Sequence, residues 1–342
     1  MYDISHLKKL VGRFPKARIL VIGDLILDEF IWGDVERISP EAPVPVVWVK
    51  SESFMPGGAS NVANNLKALG VKPFLCGVIG KDERGKMLQQ ELQKRGITTE
   101  GLIVDSGRPT TMKTRIVAHH QQVVRVDRET ISEISDNILN ELLDYLRKQI
   151  REVDALLIED YGKGVISSRL IQEVVSLARN HHKMITVDPK ESHFDYYQGV
   201  TVITPNHHEA GNAIGIKVDG EESLHRVGRE LLRLLKCDSV LVTLGENGMC
   251  LFESKGTVIH IPTVAQEVFD VSGAGDTVIA TLTAALSTGA TMEQAAYLSN
   301  FAAGIVVGKV GVAVTTREEL YDRISDQTTG STGPLSKVGK KR

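Results

Sequence analysis

The chain has 342 residues, of which 42% are hydrophobic and 24% are charged, and 40 Lys+Arg against 43 Asp+Glu give a formal net charge of −3. These values are ordinary for a globular protein, which excludes a largely disordered chain and a mini-protein that depends on disulfides. The near-neutral balance argues against nucleic acid as a partner, because such proteins usually carry a marked basic excess. Phosphorylated small substrates stay open, since a few local cations can bind them.

The cysteines and the N-terminus indicate a cytoplasmic protein. Cys76, Cys237 and Cys250 lie too far apart in sequence for a Cys-x-x-Cys zinc or redox site, and we expect them to be reduced and buried. The N-terminal residues MYDISHLKKLVGRF lack the apolar core and cleavage site of a signal peptide. No stretch reaches about 18 uninterrupted apolar residues, so we expect neither a membrane helix nor a membrane partner.

The residue pattern of about the first 126 residues predicts one buried strand and a small separate sheet. Residues 18–23 (RILVIG) form a short apolar run closed by glycine, which is typical of a buried parallel strand. Residues 30–49 contain three prolines, which exclude a helix and favour edge strands. Residues 110–126 alternate as strands do. We expect the last two segments to form a small sheet apart from the main core.

Farther along the chain, strands and helices alternate. The predicted helices are 61–69, 85–96, 136–152, 167–180, 207–214, 221–235, 275–287 and 292–307, and the predicted strands are 155–158, 184–187, 200–203 and 239–244. This alternation indicates an α/β fold in which helices flank a mostly parallel central sheet. Residues 328–342 are rich in Gly, Ser and Thr and then basic, which predicts a disordered tail after one domain over 1–327.

The strongest chemical motif is residues 270–276 (DVSGAGD), directly before an apolar helical run. The N–H groups of Gly273, Ala274 and Gly275 would lie at a helix N-terminus, where unpaired donors and the helix dipole favour an anion. Asp276 adds a carboxylate beside this anion hole. Phosphoryl transfer to a hydroxyl needs that combination of anion hole and base. The alternative is a glycine-rich turn whose aspartate only caps the helix.

Other segments place polar groups where a substrate could bind. Residues 57–63 (GGASNVA) open a helix with small residues, and Asn61 offers a donor and acceptors that suit a polyhydroxy substrate, although small residues also serve packing. Polar clusters follow four predicted strands, at 159–164, 188–190, 204–209 and 243–248. Ligands bind at the carboxyl ends of strands in an open parallel sheet, so we expect these clusters to line one site.

One segment imitates a phosphate-binding P-loop. Residues 80–87 (GKDERGKM) have the glycine and lysine spacing of that motif, but Met87 stands where a Mg²⁺-binding Ser or Thr belongs. Four charged residues lie in the loop, and the segment does not directly follow a clear pattern of a strand that leads into a phosphate-binding turn. We therefore interpret it as an ordinary loop.

In chain order, these motifs resemble the ribokinase-like (PfkB) carbohydrate kinases. Gly57, Gly58 and Asn61 match one family signature, and residues 270–276 match the other. Residues 206–209 (NHHE) resemble the family's NxxE element, and residues 243–245 resemble its nucleotide loop. The resemblance covers roughly residues 17–320. It implies a ribokinase-like fold in which the small sheet, about 30–49 and 110–126, is a β lid.

Further segments resemble one branch of this family, the bacterial D-glycero-β-D-manno-heptose 7-phosphate kinases. They include residues 33–45 (GDVERISPEAPVP), 160–164 (DYGKG) and 188–190 (DPK). The branch phosphorylates its sugar at C1 with ATP, giving the 1,7-bisphosphate for ADP-heptose and the lipopolysaccharide core. It is often fused to an adenylyltransferase, and we expect the stand-alone form here. Glu191, where Gly is common, and Ser272, where Thr is frequent, depart from the pattern.

The resemblance implies roles for individual residues. Asp276 would be the catalytic base. ATP would be bound by Lys190, Asn206, His207, His208, Glu209, Thr243, Gly245, Gly248 and Asn300, and the sugar phosphate by Asp28, Gly57, Gly58, Asn61, Arg115 and Lys163. Glu209 would help to place Mg²⁺ indirectly, and Asp270 would lie near a monovalent cation such as K⁺. Arg115 or Lys163 would contact the 7-phosphate.

Two alternatives stay open. The first is another sugar kinase, of the ribokinase or fructokinase kind. The second is a non-catalytic regulator that binds a sugar or nucleotide, against which Asp276 and the glycines of its motif argue. Because lids in this family often pair with the lid of a second subunit, the resemblance also implies a homodimer.

Overall fold

The structure is a computed structural model that describes residues 3–119, 121–265 and 268–326, so the predicted tail at 328–342 lies outside the described residues. The helices are α1 (Ile4–Arg13), α2 (Ala59–Ala68), α3 (Glu83–Lys94), α4 (Asp136–Gln149), α5 (Ser168–Asn180), α6 (His207–Ile214), α7 (Glu221–Leu235), α8 (Ala274–Ser287), α9 (Met292–Val306) and α10 (Arg317–Asp326). The strands are β1 (Arg18–Gly23), β2 (Leu25–Ile38), β3 (Pro45–Gly58), β4 (Lys72–Gly80), β5 (Thr98–Asp105), β6 (Thr111–Ala118), β7 (Gln121–Arg128), β8 (Ala155–Glu159), β9 (Met184–Asp188), β10 (Val202–Ile203), β11 (Ser239–Thr243), β12 (Met249–Glu253) and β13 (Val258–Ile261).

A nine-stranded sheet forms the centre, in the order β13-β12-β11-β10-β9-β8-β1-β4-β5. Its strands pair in parallel from β5 to β11, and β12 and β13 add an antiparallel edge. Alternate side chains of β1 belong to different cores, Ile19 and Val21 to one, Leu20 and Ile22 to the other. Helices therefore cover both faces, and the predicted mostly parallel α/β sheet is confirmed.

A separate four-stranded sheet has the order β3-β2-β6-β7, with β2 and β6 parallel and the outer pairs antiparallel. Its strands extend beyond the predicted segments, since β2 begins at Leu25 and β3 ends at Gly58. Every residue of β7 is exposed. Only one residue, Asp24, separates β1 of the nine-stranded sheet from β2 of the four-stranded sheet.

All eight predicted helices are present with ends within three residues of the prediction, whereas α1, α10, β4, β5, β12 and β13 were not predicted. Residues 80–87 do follow a strand, β4, which ends at Gly80 and was not predicted. At the start of α3, however, one of the N–H groups that a phosphate would need is already paired. The Asp82 side chain caps that helix by accepting the Gly85 N–H at 2.8 Å, in the place an anion would take.

Cys76, Cys237 and Cys250 are buried free thiols, as predicted. Across the described residues, no helix has the length and apolar character needed to span a membrane.

Candidate active site

Three carboxylates meet at the carboxyl edge of the nine-stranded sheet. Glu159 ends β8, Asp188 ends β9 in register with it, and Asp276 lies in the first turn of α8. One oxygen from each lies within 4.8 Å of the others. Burial raises the pKa of Glu159 and Asp188 well above the ordinary carboxyl value, and neighbouring carboxylates raise it further. The edge therefore concentrates negative charge that a cation or a proton must offset.

Asp276 is held by two hydrogen bonds. Its Oδ1 accepts the Tyr161 hydroxyl at 3.0 Å, and its Oδ2 accepts the Asn61 amide at 2.5 Å. Burial raises the pKa of Asp276 to about 6, and the two hydrogen bonds oppose that rise. A carboxylate that titrates near pH 6 and is fixed in orientation can serve as a general base near neutral pH.

The start of α8 lies beside this carboxylate. Its N-cap, Gly273, has φ of 78°, a left-handed conformation that favours glycine, and a side chain there would meet the Asn61 amide at 3.1 Å. A Cβ at Gly275 would lie 3.6 Å from Asp188 Oδ2. The Ala274 N–H donates to the Val271 carbonyl at 3.2 Å, so one of the three predicted anion-hole donors turns toward its own loop.

Asp24 holds together the segments that carry the two partners of Asp276. Its buried carboxylate accepts three backbone N–H groups of the loop after β8, at 2.9, 3.0 and 3.2 Å, from Tyr161, Lys163 and Val165. Its carbonyl accepts the N–H of Ala59, the first residue of α2, at 3.1 Å. Asn61 lies two residues farther along that helix. The loop and α2 are thus both fixed to the single residue between β1 and β2.

Most of the predicted sugar-binding residues lie where the two sheets join. Asp28 of β2 is 6% exposed and accepts a hydrogen bond from Arg115 at 2.5 Å. Gly57 faces Asp28 so closely that a Cβ would lie 2.1 Å from its Oδ2, and Gly58 has φ of 55°. The buried Asn61 Oδ1 has no hydrogen-bond partner within the described ranges. A polar ligand group would satisfy that oxygen.

Cations of the four-stranded sheet approach the same place. Arg115 pairs with Asp28 as above, Arg125 pairs with Asp127 at 2.9 Å, and Lys163 of the adjoining loop pairs with Glu129 at 2.8 Å. Lys113 lies over the Tyr161 ring, 4.8 Å from its centroid. Neither Lys113 nor Tyr161 was assigned a role from sequence. Tyr161 lies inside a predicted polar cluster, but Lys113 is only one position of an alternating strand.

The predicted NxxE pair forms a helix cap. Asn206 Oδ1 accepts the N–H groups of His208 and Glu209 at 2.9 and 3.0 Å, and Glu209 Oε2 accepts the Asn206 N–H at 2.9 Å. Burial raises the pKa of Glu209, and the cation of Lys190 opposes that rise. The Glu209 charge also raises the pKa of Asp188. The Asn206–Glu209 pair therefore lies within electrostatic range of the cluster of three carboxylates.

A cleft of about 890 Å³ opens beside α6, and its lining includes His207, His225, Leu244, Asn247, Pro262 and Thr263. The exposed His208 ring contacts the His207 ring at a tilt of 38°, with ring centroids 3.9 Å apart. Asn300 reaches the cleft through Pro262, whose carbonyl accepts its amide at 2.7 Å.

Three further predicted residues lie around this cleft. Thr243 forms a β-bridge with Asn206. Gly245 and Gly248 take positive φ on either side of the cleft residues Glu246 and Asn247.

Asp270, predicted near a monovalent cation, accepts the Ser272 N–H at 2.9 Å in the loop before α8.

The nine-stranded sheet, the four-stranded sheet and the carboxylate at the start of α8 define a ribokinase-like α/β fold. The ribokinase of Arabidopsis thaliana complexed with ribose and ATP shares it with a TM-score of 0.72 and 18% identity, over 90% of this chain and 98% of that one. Phosphofructokinase-2 from Escherichia coli in complex with potassium has a TM-score of 0.74 and 16% identity, over 91% and 99%. These likenesses concern the fold alone.

The model of the pfkB family carbohydrate kinases matches residues 16–319, and the chain belongs to that family, as its motifs predicted. A bifunctional protein HldE from Desulfatibacillum aliphaticivorans is 44% identical over 317 residues, covering 93% of this chain and 65% of that protein. Its counterpart from Helicobacter pylori strain J99 is 45% identical over 321 residues, covering 94% and 69%. The chain spans about two thirds of the length of these curated relatives.

Proposed function

We propose that this chain is an ATP-dependent kinase that phosphorylates D-glycero-β-D-manno-heptose 7-phosphate at C1, in ADP-heptose synthesis for the lipopolysaccharide core. The observation that carries the kinase chemistry is Asp276, a buried carboxylate held by Asn61 and Tyr161 beside a helix N-terminus. Membership of the carbohydrate kinase family supports the reaction class. The segments at 33–45, 160–164 and 188–190 support the heptose substrate.

In this proposal Asp276 takes the proton of the C1 hydroxyl while that oxygen attacks the γ-phosphorus of ATP. The bond from phosphorus to the bridging oxygen breaks, and ADP leaves with that electron pair. The N-terminus of α8 faces the transferring phosphoryl group, whose negative charge it stabilises. Asn61 and Tyr161 keep the carboxylate oriented, so the base needs no rearrangement at the moment of transfer.

The cluster of three carboxylates, Glu159, Asp188 and Asp276, fits a divalent cation. Glu159 Oε2 is buried and has no hydrogen-bond partner among the residues described, and carboxylate oxygens are the ligands that Mg²⁺ prefers. Glu159 and Asp188 would hold the ion, with Glu209 acting through its charge. Bound Mg²⁺ would neutralise charge on the phosphates of ATP. We also propose a monovalent cation near Asp270.

The cleft beside α6 would take the adenosine of ATP, with His207 and Thr263 in its lining and Asn300 supporting it through Pro262. Lys190, which lies near enough to Glu209 to influence its pKa, would contact the phosphates.

The four-stranded sheet would serve as the lid and as a dimer interface in a cytoplasmic homodimer. Two of its strands expose apolar side chains, including Trp48, which is 67% exposed, Val124 and Val126. Pairing with the same sheet of a second copy would cover some of them. The mass measured in solution by sedimentation tests this assignment.

An ADP-release assay against heptose 7-phosphate, free heptose, ribose and fructose tests the function. We expect kcat/KM for heptose 7-phosphate to exceed the others by at least about 10³, because binding energy from the phosphate positions the reacting hydroxyl. Phosphorus NMR of the product should show the new phosphate on C1. Equal turnover of ribose or fructose would leave only the broader sugar-kinase function, and the absence of ADP release with every one of these sugars would favour the non-catalytic regulator.

A further inference from the structure

Lys113 is a partly buried cation that forms no salt bridge with the residues the structure describes. In the described parts of the chain it makes no ion pair, although Asp28 and Asp127 are its cross-strand neighbours on β2 and β7. Burial lowers the pKa of Lys113, the charge of Asp28 opposes that shift, and the cations Lys163, Arg115 and Arg125 lower the pKa further. A charged ammonium in such a position is costly unless an anion compensates it.

The neighbouring cations differ from Lys113 because each already has a carboxylate. Arg115 contacts Asp28 at 2.5 Å, and Lys163 contacts Glu129 at 2.8 Å. A ligand anion that recruited either side chain would weaken an existing pair and leave a carboxylate behind. The same anion gains more from Lys113, since no carboxylate has to be released.

The position of Lys113 links it to the reacting centre. Its ammonium lies 4.8 Å from the centroid of the Tyr161 ring, and the hydroxyl of that ring donates to Asp276 at 3.0 Å. Lys113 is also close enough to lower the pKa of Asp276 through its charge. An anionic group at Lys113 would therefore belong to the same molecule as the hydroxyl at Asp276, but to a different end of it.

We propose that Lys113 receives the anionic group of the acceptor, which in the proposed function is a sugar carrying a phosphate away from the hydroxyl that reacts. This assignment rests on the proposed function for the presence of a phosphorylated acceptor. It replaces Arg115 and Lys163 as the principal phosphate contact and leaves them as supporting charges. Tyr161, beneath the ammonium, sets the separation between the bound phosphate and the base.

The test compares Lys113→Met with Lys113→Arg and with Lys72→Met. Lys72 is a matched control, because its ammonium lies 5.0 Å from the Phe74 ring centroid but on β4, outside the site. For Lys113→Met we expect kcat/KM on the phosphorylated acceptor to fall about 10²-fold, mainly through KM, the range for removing one partner of a buried charge pair. Turnover of the unphosphorylated sugar should fall much less than turnover of the phosphorylated acceptor, because only the phosphorylated acceptor loses a charge partner.

Calorimetric titration with the phosphorylated acceptor alone gives a second readout. Lys113→Arg should retain much of the affinity, and Lys72→Met all of it. Equal losses on both acceptors, with a shifted acidic limb in the pH profile, would mean that Lys113 acts only on the base. A selective loss in Lys163→Met but not in Lys113→Met would assign the phosphate to Lys163.

The wild-type enzyme separates the two proposals. Wild-type kinase without preference for a phosphorylated acceptor would overturn the proposed function before any variant is made. A wild-type preference that survives in Lys113→Met would overturn only the assignment of Lys113.

Discussion

The two sheets bring opposite charges to one site. The nine-stranded sheet contributes Glu159 and Asp188 from the ends of short buried strands, and burial dominates their pKa values. The four-stranded sheet contributes Lys113 and Arg115 from a more exposed strand. The first set lies on elements packed on both faces, which suits groups that must hold reacting atoms in place. The second set lies on a sheet with an open face, which suits groups that recognise a substrate as it enters.

The variant Asp276→Asn should produce the largest effect on the nine-stranded side. It removes the proton acceptor, so we expect kcat to fall about 10²- to 10⁴-fold with ATP binding retained. The melting temperature should not fall, because the substitution removes a buried charge whose pKa burial had raised. Turnover close to wild type in a folded variant would remove Asp276 from the role of base.

The variant Tyr161→Phe should produce a smaller loss, about tenfold to a hundredfold in kcat, as expected for one hydrogen bond to a charged group. In the wild type, kcat/KM should rise with pH through about 6 and then level, since protonated Asp276 cannot accept a proton. The Tyr161 hydroxyl lowers that pKa, so its loss should move the acidic limb to higher pH.

The control for this variant is Tyr321→Phe. Tyr321 also lies under a lysine, Lys8, at 4.8 Å, but on α10, and its change should leave the pH profile unaltered. An unshifted limb in Tyr161→Phe would show that the hydroxyl does not tune the base.

The variant Glu209→Gln should affect metal use more than fold. Glutamine keeps an oxygen for the Asn206 N–H but loses the charge that acts on Asp188. We expect the Mg²⁺ concentration for half-maximal activity to rise about tenfold, as for a residue that supports metal ligands. The control is Glu222→Gln, at an exposed position on α7, which should leave the Mg²⁺ titration unchanged. If Glu209→Gln and the wild type gave identical Mg²⁺ titrations, Glu209 would be excluded from this role.

The sequence predicted the helices and strands whose hydrophobic pattern lies within a short stretch of residues. The α4, α5 and α7 helices each carry an apolar face, and β8 and β9 are short buried runs. The strand β4 (KPFLCGVIG) begins with a polar residue and a proline and ends in glycine, and it was missed. Its burial depends on the neighbours β1 and β5, which no local window contains.

The site was predictable where a motif concentrated its residues. The Gly273 to Asp276 segment is contiguous, and the structure places it at a helix start as expected. Lys113 and Tyr161 are distant in sequence and meet only because β6 pairs with β2 beside the loop after β8. The pairing of Lys163 with Glu129 was equally invisible in the sequence, so charge alone could not distinguish Lys163 from Lys113 as the phosphate contact.

Asp24 couples the orientation of the four-stranded sheet to the position of the two residues that hold Asp276. Its side chain holds the loop of Tyr161, its carbonyl holds the first residue of α2, and its backbone continues directly into β2. If β2 pivots at this residue, the segments that carry Asn61 and Tyr161, the two donors to Asp276, move with it. A tilt of the four-stranded sheet would then change the hydrogen-bond geometry around the base, without direct contact between β2 and the Asp276 carboxylate.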